Sequence, residues 1–397
     1  MAIVSVKNAE QLLKTVYLDV VSNQLNTGVS PFLTEVEKSS AEVVGSEVKV
    51  LAPYGLSGGV GAIAEDSDLP ASSGRQYVTF AGKLKNLVGN VEISDKLLKQ
   101  SHASAGAFVN ALNLEMEGLL ESSRVNMSRM LFGDGTGVIG TITAAGTAQA
   151  TWNIGAGNTK KLQIGQTVDI LSTTGTNLVI GGRVAALDHA AGTVTLAAAF
   201  SVLSTNLPAT VYMARTRAGD EITGLGAVFS DTATLYGVDR AVYPGLWPTK
   251  VALANNDNDL TDARIQNVID DIERRTGHTP DFLICSPGVR RAYMEYLQAF
   301  KRNTDVLNLT GGFKAISFNG IPLVADRFCP AGTLYLLNTK DFVLAQMDDW
   351  HWFENESGTI LRRSYTKTAY AATLIKYCEL VCKAPGAQGV ITNIAEA

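Results

Sequence analysis

Hydrophobic and polar positions divide the chain into stretches with different periods. Between Glu10 and Leu25, the residues Leu12, Leu13, Val16, Tyr17, Val20 and Val21 fall on one face of a 3.6-residue repeat, which predicts an amphipathic helix. From Gly45 to Gly89 the pattern turns extended: VKVLAPY and RQYVTFAGKLKNLVG predict two strands, and GLSGGVGAIAEDSDLPASSG between them predicts a loop. Together they form a long two-stranded excursion with a glycine-rich tip. Ser104 to Phe132 then places Phe108, Leu112, Met116, Leu119, Leu120, Met127, Met130 and Leu131 three and four apart. That spacing predicts a helix of about eight turns, roughly 40 Å at 1.5 Å per residue.

Val138 to Ala218 is poor in charge and rich in Thr, Ala, Gly and Val. Its short alternating runs QTVDILST, NLVIGGRVAAL, GTVTLAAAF and ATVYMAR predict a small antiparallel β module, open or barrel-like. Beyond Asp220, helices and strands mix. Thr261 is placed to N-cap a helix that carries Ile265, Val268, Ile269 and Ile272 inward and stops at Gly277. The strand DFLIC follows, and Ser286-Pro287 opens the next helix. Asn319-Gly320 predicts a tight hairpin turn, and TKTAYAATLIKYCELVCKA predicts a long apolar strand near the C-terminus.

Composition narrows the classes. At 397 residues the chain exceeds one compact core, so two or three structural units are expected. With 46% hydrophobic and 18% charged residues it is a folded protein, and the low charge suits a surface covered by copies of itself. A net charge of −5 gives no general attraction to nucleic acid or anionic membranes. The four cysteines, Cys285, Cys329, Cys378 and Cys382, all lie in the last third and predict buried, reduced thiols. Neither an export signal nor a membrane span is expected.

Candidate chemistry is sparse. Gly135, Gly137 and Gly140 in LFGDGTGVIGT spell the GxGxxG of a dinucleotide loop, but that loop needs a strand before it and a helix after it. Here a helix comes first, so the glycines would face its partially negative end, and an exit turn is expected at Gly135 to Gly140. Gly55-Leu56-Ser57-Gly58-Gly59 matches GxSxG without the following helix. The segment Asn255–Asp259 lacks the glycine and glutamate of a calcium loop, since Asp262 and Val268 stand in their places. Cys378 and Cys382 share one face if their segment is a strand, and His102, His189, His278 and His351 are scattered. Trp350, Trp352 and Phe353 read as core or subunit interface. No catalytic, cofactor-binding or metal-binding residue is expected, and no enzyme activity.

GNVEISDKLLKQSHASAGAFVNALNLEMEGLLESSRVNMSRMLFGDGTG resembles the segment of HK97-fold bacteriophage major capsid proteins holding a strand of the extended loop, the long spine helix and its exit turn. GDGTG and EITGL, at Glu221–Leu225, resemble two halves of one family motif separated by an insertion. FNGIPLVADRFCPAGTLYLLNTKDF, at Phe318–Phe342, resembles the family's strand pair. The resemblance implies an α+β HK97-like capsid fold. Its parts would be an N-arm over 1–44, an extended E-loop over 45–92, and a peripheral domain over 93–137 and 337–397 with the spine helix at 104–132. An axial domain would cover 219–336, and an inserted all-β domain 138–218.

The implied role is a virion capsid subunit, assembled in the host cytoplasm into hexamers and pentamers around double-stranded DNA. Partners would be copies of itself, a separate scaffolding protein and a portal, with room for a decoration protein; sequence-specific nucleic acid and membrane are not expected. The family's lysine–asparagine cross-link is not carried over, because Lys83 and Lys85 have no matching partner motif. The alternatives are a phage tail or surface-layer protein, and a serine hydrolase using Ser57 with His278.

Overall fold

The computed structural model describes residues 24–25, 30–56, 58–66, 68–71, 74–95, 105–255, 257–299, 306–308, 314–355, 358–363 and 367–397. The N-terminal helix expected over Glu10–Leu25 lies outside these residues except for Gln24 and Leu25, and Ser57 lies outside them too. A short helix α1 (Pro31–Glu35) and strand β1 (Glu37–Ser39) open the described chain. Strands β2 (Val43–Val44), β3 (Glu47–Gly55) and β4 (Gln76–Lys83) then form a three-stranded antiparallel sheet. Its alternation is clean: Val48, Val50, Ala52, Val78 and Phe80 face inward.

The single second strand expected from RQYVTFAGKLKNLVG is two strands. β5 (Lys85–Ser94) begins one residue beyond β4 and pairs elsewhere, with Leu84 as the joint. Its inward positions are Leu87, Val91 and Ile93, so the buried parity switches from even to odd across Leu84 and the chain must change sheets there. The spine helix α2 (Ala105–Leu131) follows, 27 residues long, and packs on β5. Its last turn is buried on all sides from Met127 to Leu131.

Residues 140–213 form a sheet of their own. Strands β6 (Gly140–Ile142) and β7 (Gly146–Asn153), a short helix α3 (Ala156–Thr159), and strands β8 (Thr167–Leu171), β9 (Asn177–Asp188), β10 (Thr193–Val202) and β11 (Ala209–Met213) pair in the antiparallel order β6-β11-β8-β9-β10-β7. This sheet encloses a separate apolar core that includes Trp152, Val168, Ile170, Val184, Val194 and Val211. Apolar side chains from the alternating runs meet on one side, which lets this stretch bury a core without the rest of the chain.

Past the sheet come α4 (Leu225–Val228), the two-residue strands β12 (Thr234–Leu235) and β13 (Val238–Asp239), and β14 (Thr249–Ala252). Arg240, fully buried, donates to the carbonyls of Val228, Ser230 and Thr232 and lies 4.2 Å from the Trp247 ring centroid, so one cation pins the loop after α4. Helix α5 (Asp262–Thr276) starts at Thr261, whose side chain accepts from the Arg264 amide, and ends at Gly277 with φ 71°, as its caps predict. Then follow β15 (Phe282–Cys285), α6 (Pro287–Ala299), β16 (Val306–Asn308), β17 (Lys314–Phe318), β18 (Ile321–Ala325) and β19 (Leu334–Leu337). Asn319 and Gly320 join β17 to β18 with φ 48° and 83°, the two positive values that a type I′ turn requires.

The chain closes with β20 (Phe342–Gln346), β21 (His351–Trp352), β22 (Arg362–Arg363), β23 (Ala369–Cys382) and β24 (Gly389–Thr392). A mixed seven-stranded sheet runs β14-β24-β19-β15-β18-β17-β16 and separates two cores. Leu283 and Cys285 of β15 face α5 and α6, while Phe282 and Ile284 face the main core, which is why DFLIC reads as an unbroken apolar run. A second sheet is organised by the 14-residue β23, which pairs with β5 on one side and with β20, β21 and β22 on the other.

Candidate functional site

Two surfaces carry the sequence features that composition does not explain: the outer side of the β3–β4 hairpin and the junction where the 140–213 sheet leaves the body. Since one hairpin face is packed against the body, the alternate residues Leu51 and Tyr77 must face out, and they are 63% and 52% exposed. At the tip Leu56, Val60 and Leu69 are 82–87% exposed, beside the acidic Glu65, Asp66 and Asp68. The hairpin root is held by hydrogen bonds from the Ala81 amide to the Tyr236 carbonyl (2.9 Å) and from the Leu84 amide to the Ser46 carbonyl (3.1 Å). The hairpin is thus tied at its root, and its tip carries exposed apolar side chains beside three carboxylates.

At the junction, GDGTG and EITGL meet in space. The spine helix ends in tightened turns, with the Gly133 amide on the Met130 carbonyl at 2.9 Å, and Gly135 and Gly137 then turn at φ 81° and 76°. A Cβ on Gly224 would stand 2.5 Å from the Leu131 carbonyl oxygen and closer still to that of Met130, and one on Gly226 would stand 2.9 Å from Gly133 backbone atoms. The two halves are therefore packed backbone on backbone, and the Gly219 amide reaches the Thr136 carbonyl at 3.3 Å. The GxGxxG match is an exit turn that follows the C-terminus of α2 and leads into β6, the reverse of the strand-then-helix order a dinucleotide loop requires.

Three charged side chains grip the returning segment at alternate residues. Lys85 Nζ donates to the Gly219 carbonyl at 2.6 Å. Arg129 forms a two-bonded, buried ion pair with Glu221, with Nη1 to Oε2 at 2.9 Å. Glu379 Oε1 accepts from the Thr223 amide at 2.6 Å and the Leu380 amide at 3.0 Å. Burial pushes the Glu379 carboxyl from 4.5 up to about 7, against the lowering effect of those amides and of Lys85.

A raised carboxyl pKa contributes stability that is complete below pH 4.5 and is lost as pH rises through about 7. Glu379→Gln keeps the acceptor oxygen and removes the ionisation. Relative to the parent, the variant should gain up to about 3 kcal/mol between pH 4.5 and about pH 8, measured by urea unfolding of the unassembled subunit. An unchanged difference across that range would contradict the placement of this carboxyl.

The remaining sequence candidates are dispersed. His278 Nδ1 lies 3.3 Å from Asp341 Oδ2 and 3.4 Å from Asn338 Nδ2, His189 Nδ1 3.0 Å from Thr159 Oγ1, and His351 Nδ1 3.0 Å from the Asp349 carbonyl; His102 is outside the described residues. Asp257 pairs with Arg264 at 2.5 Å, and Asn255 accepts from Asn393, so the acidic loop is tied into the fold. All four cysteines are buried free thiols, and burial pushes Cys285 and Cys378 up to about 12. Trp350 and Trp352 are buried, while Phe353 is 42% exposed under the Arg362 guanidinium at 3.9 Å. Among the described residues no cluster of three or more metal-ligating side chains occurs, and no helix is long and apolar enough to cross a membrane.

No protein-family model matches the sequence, and no curated protein does. A chain of the cyanophage A-1(L) capsid asymmetric unit aligns over 96% of this chain and 93% of its own, with a TM-score of 0.53 and 13% identity. The chain has the HK97-like capsid fold. The capsid of a native GTA particle aligns over 92% of this chain and 91% of its own, with a TM-score of 0.46 and 11% identity. The capsid of Myoviridae phage XM1 does so over 93% and 92%, at 0.43 and 9%. The C-terminal turn of the spine helix is where the 140–213 sheet departs.

Proposed function

We propose that the chain is the structural subunit of a phage icosahedral capsid, assembling through hexamers and pentamers into a shell that encloses double-stranded DNA, and that it has no catalytic role. The observation that carries this reading is the apolar hairpin, with Leu51, Leu56, Val60, Leu69 and Tyr77 exposed on a chain with a capsid-protein fold. A closed shell needs one subunit whose surfaces serve both five- and six-fold rings. A hairpin anchored at its root and covering a neighbour supplies large contact area while its angle adapts.

On this reading 1–44 is the N-arm and 45–92 the E-loop. The peripheral domain is 93–137 with 337–397, the axial domain is 219–336, and the 138–218 insertion faces outward, where a decoration protein could dock. A scaffolding protein and a portal are the further partners, and the site of action is the virion after assembly in the bacterial host. The net charge of −5 suits a wall that confines DNA without binding it. Deleting Leu56–Gly61 should leave the subunit folded by circular dichroism while abolishing closed shells in negative-stain images. Normal shells from the deleted chain would refute the hairpin's role.

A further inference from the structure

A cleft of about 530 Å³ lies at the seam between the 140–213 sheet and the body, and its walls carry more positive than negative side chains. Arg129, Lys160 and Lys161 line it, against Asp134 and Glu221. Neither carboxylate is bonded to a lysine. Glu221 gives both oxygens to Arg129, and Asp134 Oδ1 accepts from the Thr136 amide at 3.0 Å and the Thr136 hydroxyl at 2.6 Å. Among the described residues, the contact each lysine makes is to a carbonyl: Lys160 Nζ donates to that of Cys329 at 2.7 Å and Lys161 Nζ to that of Ile139 at 3.3 Å. Each ammonium therefore keeps two of its three donors.

Lys161 carries the strongest demand for a counter-charge. Burial is the largest cause holding its pKa below the usual lysine range, and repulsion from Arg129 and Lys160 adds to it, outweighing the attraction of Asp134 and Glu221. The apolar walls Phe132, Val138, Phe328 and Pro330 leave these charges weakly screened. Gly137 and Gly140 of the GxGxxG match also line the cleft, whose positive charge comes from side chains rather than from a helix end. We propose that this cleft is a binding site for one small oxyanion of the phosphate class, held by the free donors of Lys160 and Lys161 beside the Arg129 guanidinium. A bound oxyanion supplies the missing counter-charge through charge-assisted hydrogen bonds and stabilises the folded chain by mass action. The site belongs to the single chain and does not depend on the shell reading.

Titration calorimetry of the unassembled full chain with inorganic phosphate, at an ionic strength held constant with sodium chloride, tests the site. The parent is compared with Lys161→Met, Lys161→Gln and Lys83→Met; Lys83 is exposed and lies outside this cleft, so it controls for the loss of one charge. The parent should bind one phosphate saturably, and Lys83→Met should match it. Both variants at 161 should bind about tenfold more weakly or worse, the loss expected for one charge-assisted hydrogen bond. Phosphate should also raise the unfolding midpoint of the parent above its value in chloride of equal ionic strength, a readout that needs no variant. No saturable binding to the parent, no rise in its midpoint, or parent-like affinity in the variants at 161 would each overturn the proposal.

Discussion

Arg129→Met is expected to destabilise the unassembled subunit by about 3–5 kcal/mol, because it leaves the Glu221 carboxylate buried without its cation. The pair is 5% and 6% exposed at its side chains and joins the last turn of α2 to the segment returning from the 140–213 sheet. Arg129 Nη2 also donates to Asn126 Oδ1 at 2.8 Å, which holds the guanidinium in the orientation its two-bonded contact needs. Lysine at 129 cannot reproduce that fork, so Arg129→Lys should recover little. The double variant Arg129→Met with Glu221→Leu should recover most of the loss, since no charge is then stranded. Chemical denaturation of the parent and these variants checks this; a loss below about 1 kcal/mol for Arg129→Met would mean the pair is not desolvated as described.

Gly224→Ala should cost about 3 kcal/mol or more, for a steric rather than electrostatic reason. The new methyl group would stand 2.5 Å from the Leu131 carbonyl oxygen and closer still to that of Met130, both backbone atoms that cannot rotate away. Relief requires the GDGTG and EITGL segments to separate, which opens the base of the 140–213 sheet. Gly219→Ala offers the contrast. Its site is open and only the φ of 83° is unfavourable. A loss of about 1 kcal/mol is expected there. Thermal unfolding separates the two; equal losses would show that backbone conformation, not contact, governs the junction.

Local signals read well because their physics is local. The three- and four-residue spacing of Met116, Leu120, Met127 and Met130 specifies a helix whatever surrounds it, and Thr261 with Gly277 mark the ends of α5 through bonds made within a few residues. The Asn319-Gly320 turn is fixed by its own dihedral angles. Separation of GDGTG from EITGL is legible as a split motif, but their interlocking is not, since it depends on the empty space at Gly224 and Gly226.

The division of β4 from β5 escapes the strand reading although a signal exists: Val78 and Phe80 are even, whereas Leu87, Val91 and Ile93 are odd, so the alternation slips phase near Leu84. The buried charges Arg240, Lys376 and Glu379 carry a weaker cue, ionic residues inside apolar surroundings. Their partners cannot be named from the sequence, because Thr223 lies 156 residues from Glu379 and Asp349 lies 27 from Lys376. Loop 55–74 is readable as glycine-rich, but its outward apolar tip acquires meaning only once the hairpin's other face is seen to be packed.

Cryo-electron microscopy of the purified full chain, expressed alone and together with the products of the genes beside its own, tests the shell reading most directly. Closed shells are expected in which rings of five and six copies share one subunit fold, with the β3–β4 hairpin lying on an adjacent copy. Tubes, flat lattices, or a chain that remains monomeric under both conditions would contradict it.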